Sequence, residues 1–380
     1  MSEIPGVALL TGDAATVLAT LGAASVQVCV TSPPYFQLRD YKVAGQIGLE
    51  ATPGQFIAAL VATFGEVRRV LRDDGTLWVN LGDSYGPDKQ LLLIPHRFAI
   101  AMQDDGWYLR QDIVWAKPAC MPESVRDRCT RSHEYIFMFA KQPRYYYDAE
   151  AIAQPAVKGA AGSTFTEGKT GINGMGRVGQ GERVDNPTRN RRSVWSDISP
   201  EPSGDEHYAA YPTRLPELCL LAGSSPTACG ACGSPWQRVA ETERWNDREE
   251  RRAEASGWVP RPGRTTEKNA QQRIHNTNGQ TSGVRVLGHG WVPTCACPPD
   301  DSGRGVVLDP FSGSGSTGVA ALRNGRRYVG IDLSTAYQEI ATRRLTRAHY
   351  EAAYGVRHES ERPVDGQIPL FAAGGAAHGN

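Results

Sequence analysis

The sequence predicts an α/β fold built on a mostly parallel sheet with helices on both faces. Three observations carry this. Short apolar, β-rich runs alternate with longer stretches of helical spacing over residues 7–150, the pattern of strand–helix–strand units. A glycine-rich strand-to-helix turn, Val306-Val-Leu-Asp-Pro-Phe-Ser-Gly-Ser-Gly-Ser-Thr-Gly-Val-Ala-Ala321, leads into a second strand, Arg327-Tyr-Val-Gly-Ile-Asp332. Far upstream, the strand Ser25–Val30 stops on Thr31-Ser-Pro-Pro-Tyr35, where adjacent prolines fix φ and forbid helix.

Taken in order, Val7 to Leu10 reads as a short strand, followed by Gly12-Asp13 and a helical segment through Leu21. The run Ser25–Val30 is a buried strand, with Cys29 inside it as a buried free thiol. The stiff loop Thr31–Phe36 leaves the sheet at its C-terminal edge, where open α/β sheets bind ligands. Thr52 and Pro53 make an N-cap and first helical position. Phe56, Leu60, Val61, Phe64, Val67, Val70 and Leu71 then recur at helical spacing. Asp73-Asp-Gly75 is expected to turn the chain into a strand, Thr76–Leu81, which ends in Gly82-Asp83-Ser84-Tyr85. A helix over Ile94–Gln103 and strands over Asp112–Trp115 and Glu134–Ala140 follow. Pro212 precedes an apolar helix carrying Leu215, Leu218, Leu220 and Leu221, and Thr335–Arg347 reads as a helix with a basic face.

With 380 residues and a formal net charge of zero, the chain can bury a full core but has no global field to attract a polyanion. Any nucleic-acid site must come from local basic patches. One candidate is the segment 158–193, with seven basic against three acidic residues. Another is the group Arg126, Arg128, Arg131, Lys141 and Arg144, read as a phosphate-contacting rim. Eight cysteines are too few for a disulfide scaffold. The absence of a signal peptide and of an apolar stretch near ~20 residues predicts a soluble, cytosolic protein without membrane partners.

Chemistry enters through two loops. The glycine turn lets backbone approach a ligand and aims helix N-terminal N–H groups at an anion. Asp332, ending the next strand, is placed to take the hydroxyls of a ribose. Gly313-x-Gly315-x-x-Gly318 fits a dinucleotide fingerprint, so a nicotinamide-dependent oxidoreductase is one class it admits. Ser32-Pro33-Pro34-Tyr35 offers no strong base, activated nucleophile or metal ligand. It offers a hydroxyl, rigidly held carbonyls and an aromatic face, a set that suits a planar amino group on a heterocycle. Hydrogen bonds from that group to Ser32 and the Pro33 carbonyl favour a pyramidal nitrogen with its lone pair freed, and Tyr35 stacks on the ring. Separately, Cys229-x-x-Cys232 and Cys295-x-Cys297 flank a polar insertion and suit tetrahedral zinc. Such a zinc would staple the insertion's base and help present it to DNA. A non-catalytic DNA-binding protein built on zinc and arginine is therefore a third class.

Ser32–Tyr35 and Asp309-Pro-Phe-Ser-Gly-Ser-Gly-Ser-Thr317 together resemble the (Asp/Asn/Ser)-Pro-Pro-(Tyr/Phe) catalytic motif and the cofactor motif of amino-methylating DNA methyltransferases. Their order resembles the β-class permutation. Gly82–Tyr85, Trp115-x-Lys117-Pro118, Arg131-Ser-His-Glu134 and Tyr211-Pro212-x-x-Leu215 add to the resemblance. It implies a Rossmann-like class I S-adenosylmethionine-dependent fold with a target-recognition or zinc-knuckle insertion. It further implies methyl transfer to an amino group of a base flipped out of duplex DNA. Ser at the first motif position is commonest in cytosine-N4 enzymes, with adenine N6 the alternative. Cytosine C5 chemistry needs a cysteine after a proline, and no Pro-Cys pair occurs. By resemblance, Asp309, Phe311, Gly313 and Gly315 line the cofactor pocket, Asp332 holds the ribose and Asp83 lies near the target base.

The expected division of the chain follows. Residues 1–150 form the catalytic half, 151–205 a flexible basic insertion for DNA recognition and 206–228 a returning helix. Residues 229–300 form the cysteine-flanked zinc module, 301–350 the cofactor half and 351–380 a flexible tail. In that tail Gln367-Ile-Pro-Leu-Phe371 resembles the peptide by which bacterial DNA enzymes dock on the sliding clamp. No endonuclease motif is present, so a bacterial or phage-encoded modification enzyme, of the restriction-modification kind, is expected.

Overall fold

Eight strands among the described residues share one sheet, and their order explains where the two motif loops meet. The computed structural model describes residues 4–120, 122–155, 188–199, 211–246, 282–298 and 302–355. Most of the basic segment 158–193, the outer part of the cysteine-flanked insertion and the Gln367–Phe371 peptide lie outside the described residues. In chain order the elements are β1 (Val7–Thr11), α1 (Ala14–Leu18), β2 (Val26–Thr31), α2 (Pro53–Val70), β3 (Leu71–Leu81), α3 (Ile94–Asp104), β4 (Tyr108–Ala116) and β5 (His133–Ala140). There follow β6 (Gln154–Pro155), β7 (Thr188–Arg189), β8 (Val194–Trp195), α4 (Arg214–Gly223), β9 (Thr227–Cys229), β10 (Trp236–Asn246) and β11 (Ser282–Pro293). The last are β12 (Ser302–Arg304), β13 (Val306–Asp309), α5 (Ser316–Arg323), β14 (Arg327–Asp332) and α6 (Thr335–Tyr354).

The sheet runs β1-β14-β13-β2-β3-β5-β4-β8. Every neighbouring pair is parallel except those of β5, which opposes both β3 and β4. β2 lies near the centre and is buried at all six positions, as a strand covered on both faces must be. Its side chains alternate between two cores. Cys29 joins Phe56, Leu60 and Phe64 of α2 and Phe98 of α3 on one face. Val28 and Val30 join Leu215 of α4, Val319 of α5 and Leu345 of α6 on the other. Burial pushes the Cys29 thiol well above its ordinary range, which leaves it unreactive.

Local signals set the helix starts. Thr52 accepts a hydrogen bond from Gln55 N at 3.3 Å with Pro53 directly after it, and Asp13 and Ser334 cap α1 and α6 in the same way. The expected turn at Asp73–Gly75 is not one. It is a bulge inside a continuous β3, where Val26 pairs Leu71 and Val28 already pairs Thr76. The extra residues are taken up beside Gly75, whose missing Cβ would sit 2.8 Å from the Gln27 carbonyl.

β13 and β2 are neighbours whose connections diverge: α5 leads to β14 on one side, α2 to β3 on the other. That is a topological switch point, and its C-terminal edge is where such sheets bind ligands.

Candidate active site

Both motif loops leave the sheet at this switch point, and one carboxylate ties them together. Asp309 ends β13 and is 1 % exposed. Its Oδ1 accepts from Thr31 Oγ1 at 2.6 Å, across 278 residues of chain, and from Phe311 N at 3.0 Å. Its Oδ2 accepts from Thr317 Oγ1 at 2.7 Å and Tyr211 OH at 3.3 Å. Burial raises its pKa to about 6 against the pull of these four donors. Asp309 therefore lies beneath the cleft that it was expected to line, joining Thr31, which precedes Ser32, to the loop carrying Phe311.

Above it opens a first cleft. Pro34, Phe311, Gly313, Asp332, Tyr337 and Tyr211 are among its walls. Gly313 and Gly315 both take left-handed φ, 50° and 79°, which only glycine adopts without strain. A Cβ at Gly315 would stand 3.2 Å from Ala341 of α6, so this glycine serves close packing beneath the turn rather than the cleft surface. Asp332 Oδ2 accepts from Gly313 N and its Oδ1 from Ser334 N, both at 2.8 Å. Burial still raises its pKa, because it outweighs those two bonds. The first turn of α5 leaves N–H groups without intrahelical partners beside Ser314 and Ser316.

A second cleft adjoins the first. Ser32, Pro33, Tyr35, Asn80, Lys117 and Glu134 line it, while Ser32, Tyr41 and Tyr211 belong to both clefts. The ring of Tyr35 is packed over Gly82, where a Cβ would come within 2.6 Å of Cε2. Its hydroxyl donates to Glu134 Oε2 at 2.7 Å and accepts from Asn80 Nδ2 at 2.8 Å. Ser32 Oγ donates weakly to the same hydroxyl at 3.4 Å. Asn80 also donates to Glu134 Oε2 at 2.8 Å, and Lys117 pairs with Glu134 Oε1. Asn80, Lys117 and Glu134 were given no chemical role from sequence. A signal was available: Asn80 interrupts the apolar run Leu77-Trp-Val-Asn-Leu81, and buried polar residues at strand ends need partners.

The remaining expected residues divide. Asp83 is absent from the described walls of both clefts. Its Oδ1 accepts from Ser84 N and Ile94 N, each at 2.9 Å, which caps the start of α3, and Arg131 bonds the Asp83 carbonyl. Arg128 lies 4.2 Å and Arg131 5.3 Å from the centre of the Tyr85 ring, with Arg128 also bonded to Glu123 at 2.6 Å. Arg126 is exposed next to them. This group precedes β5 and so shares the cleft edge. Lys141 and Arg144 follow β5 and sit at the opposite edge, roughly 25 Å away along an eight-residue strand. Lys141 bonds the Leu71 carbonyl and Asp73 there. The five-residue rim expected from sequence is thus only the three arginines.

The four cysteines do converge: the Sγ atoms of Cys229, Cys232, Cys295 and Cys297 all lie within 4.8 Å of one another. Four thiolates at ~2.3 Å from a tetrahedral zinc stand about 3.8 Å apart, so the set fits. The cluster is also at the edge remote from the clefts. Arg72 Nη1 donates to the Cys232 carbonyl at 2.6 Å and Gln27 Nε2 to that of Gly233 at 3.0 Å, and both residues start their strands. From it rise β10 and β11, paired antiparallel from Trp236–Pro293 to Asn246–Ser282.

Comparison with known proteins accords with this geometry. A family model described as DNA methylase (N6_N4_Mtase) matches residues 26–229 and 295–343. The type II methyltransferase M.Cfr9I of Citrobacter freundii is 34 % identical over 90 % of this chain and 89 % of its own. M.SmaI of Serratia marcescens is 33 % identical over 91 % and 93 %. Among solved structures, the cytosine-N4-specific PvuII DNA methyltransferase aligns over 93 % of this chain and 97 % of its own, with a TM-score of 0.52 at 15 % identity. That last likeness speaks to the fold, a class I methyltransferase sheet.

Proposed function

Because this chain belongs to the N6/N4 DNA methylase family, we propose that it transfers a methyl group from S-adenosylmethionine to the N4 of a flipped-out cytosine in its own duplex DNA site. The observation that carries this reading is that Ser32 lines both clefts, so a donor in one and a base in the other meet at a single hydroxyl. The first cleft fits the donor by the chemistry of its wall. Asp332 suits the ribose, Phe311 the adenosyl-methionine, and the start of α5 a carboxylate. When bound, the donor supplies an electrophilic methyl on a sulfonium.

The chain's own part is to aim an amino nitrogen. Ser32 gives its proton toward Tyr35, and Tyr35 gives its own to Glu134. This direction leaves the lone pairs of Ser32 Oγ free to accept an amino N–H, with the Pro33 carbonyl taking the second. A nitrogen so held turns its lone pair out of the ring plane, and Tyr35 stacks on the ring. The rate gain is then one of position and lone-pair localisation; the nitrogen's surplus proton is shed to water after the transfer, as the methyl leaves the sulfonium a neutral thioether. The three arginines at the rim are proposed to meet phosphates, and the four cysteines to hold a structural zinc. Serine at the head of the catalytic motif favours cytosine over adenine. The test is sequencing of DNA from cells expressing the chain, with detection of N4-methylcytosine and N6-methyladenine, beside a Ser32→Ala control. N4-methylcytosine at one short site, absent in the control, is expected. N6-methyladenine would correct the base, and no mark at all would remove the proposal.

A further inference from the structure

The second cleft holds an ammonium, that of Lys117, for which aiming an amino group has no need. Lys117 follows β4 and Glu134 opens β5, with side chains 27 % and 14 % exposed. Withdrawing an ammonium this far from water is costly unless its donors are met, yet Glu134 is the sole acceptor at Lys117 Nζ among the described residues. The Trp115 ring, with its centre 4.7 Å from Nζ, covers one side. An ammonium carries three donors, so two are left on the wall of a cleft that also contains Ser32. Glu134 cannot swing away, since its other oxygen is held by Tyr35 and Asn80.

A base whose amino group lies at Ser32 presents the neighbouring ring nitrogen a bond or two further along the same edge. In cytosine and adenine that nitrogen is a bare acceptor, whereas in thymine and guanine it carries a hydrogen. We propose that Lys117 donates a hydrogen bond to this ring nitrogen, and so is a specificity-determining residue that admits amino bases and rejects keto bases. Flipped bases are read on their Watson–Crick edges, and the wall offers a donor where only amino bases accept. Glu134 acts as a positioning residue with an electrostatic purpose. A lone ammonium beside the base would oppose the positive charge that grows on the amino nitrogen, and the carboxylate offsets it. The inference rests on the second cleft being the target-base site.

The test is a cycle between protein and substrate. Duplexes carrying the site found by sequencing are made with cytosine or 3-deazacytosine at the target, or with adenine and 1-deazaadenine if adenine is the methylated base. The unaltered chain should lose about tenfold to a hundredfold in kcat/KM on the deaza duplex, the range of a lost bond to a charged donor. Lys117→Met should lose a similar factor on the normal duplex and nothing more on the analogue. Losses that multiply would mean that the analogue acts only through its altered amino group, and would overturn the proposal. Equal rates of the unaltered chain on both duplexes overturn it without any variant, which decides the matter should Lys117→Met fail to bind S-adenosylmethionine in calorimetry. A chain that methylates no DNA at all would instead remove the reading of the cleft.

Discussion

At the scale of single residues, Asp309 shows how one buried acid can tie two motif loops together from beneath a cleft. Its ordinary pKa is near 3.8 and burial lifts it to about 6. The folded chain therefore keeps this proton where the unfolded chain has released it. The favourable contribution is complete below about pH 4 and is lost as pH rises through about 6. An amide at this position does not titrate. The stability of the protein minus that of Asp309→Asn should thus fall between those limits, by on the order of 3 kcal/mol, and then level off. Chemical denaturation of both chains across this range checks it; a difference that grows with pH would mean that the four donors outweigh burial. The motif residues Ser32, Phe311 and Asp332 were legible because rigid or glycine-rich loops advertise themselves. Of their partners, Asn80 shows in the sequence only as a polar break in an apolar run, and Lys117 and Glu134 take roles that depend on strands which meet only after folding.

Elements were read best where local chemistry decides them. Thr52-Pro53 starts α2 where the cap predicts, and β2 and β14 match their apolar runs. Asp-Asp-Gly has turn composition, and the bulge in β3 escapes a reading of the sequence because β2 pairs β3 on both sides of it, at Leu71 and again from Thr76. α5 supplies a sharper case. A Cβ at Gly318 would lie 2.6 Å from Leu345 of α6 and from the Tyr328 ring of β14. Tyr328 cannot yield, being buried and bonded to Ser312 Oγ at 2.8 Å. Alanine brings about 1 kcal/mol of helix propensity, but overpacking costs about 1–3 kcal/mol. Gly318→Ala should therefore lower the melting temperature by a few degrees and weaken S-adenosylmethionine binding, because α5 carries the glycine turn. Calorimetry reads both, and a more stable variant would mean that α6 moves aside freely.

For the molecule as a whole, the two edges of the sheet divide the labour. The clefts and the three arginines share one edge, and the four cysteines the other. The four thiols bring Cys229–Cys232 to Cys295–Cys297 at the foot of the β10–β11 hairpin, where a zinc would staple the insertion's base; the expectation that it would also help present the insertion to DNA meets a cluster at the edge remote from the clefts. Metal analysis should find about one zinc per chain. Chelation should lower the melting temperature while S-adenosylmethionine still binds, and zinc-free protein of unchanged stability would dispose of the metal. The mutual placement of the edges could not be read from sequence, because it follows from which way each strand runs. At the cleft edge, Ser32, Tyr41 and Tyr211 stand in the walls of both chambers, so the contents of the two meet at the same side chains. An adenosyl group tethered by a short linker to the amino nitrogen of a pyrimidine would occupy both chambers at once. The second half of such a compound binds without a second loss of translational freedom, and the shared wall thereby offers a handle for bisubstrate inhibitors.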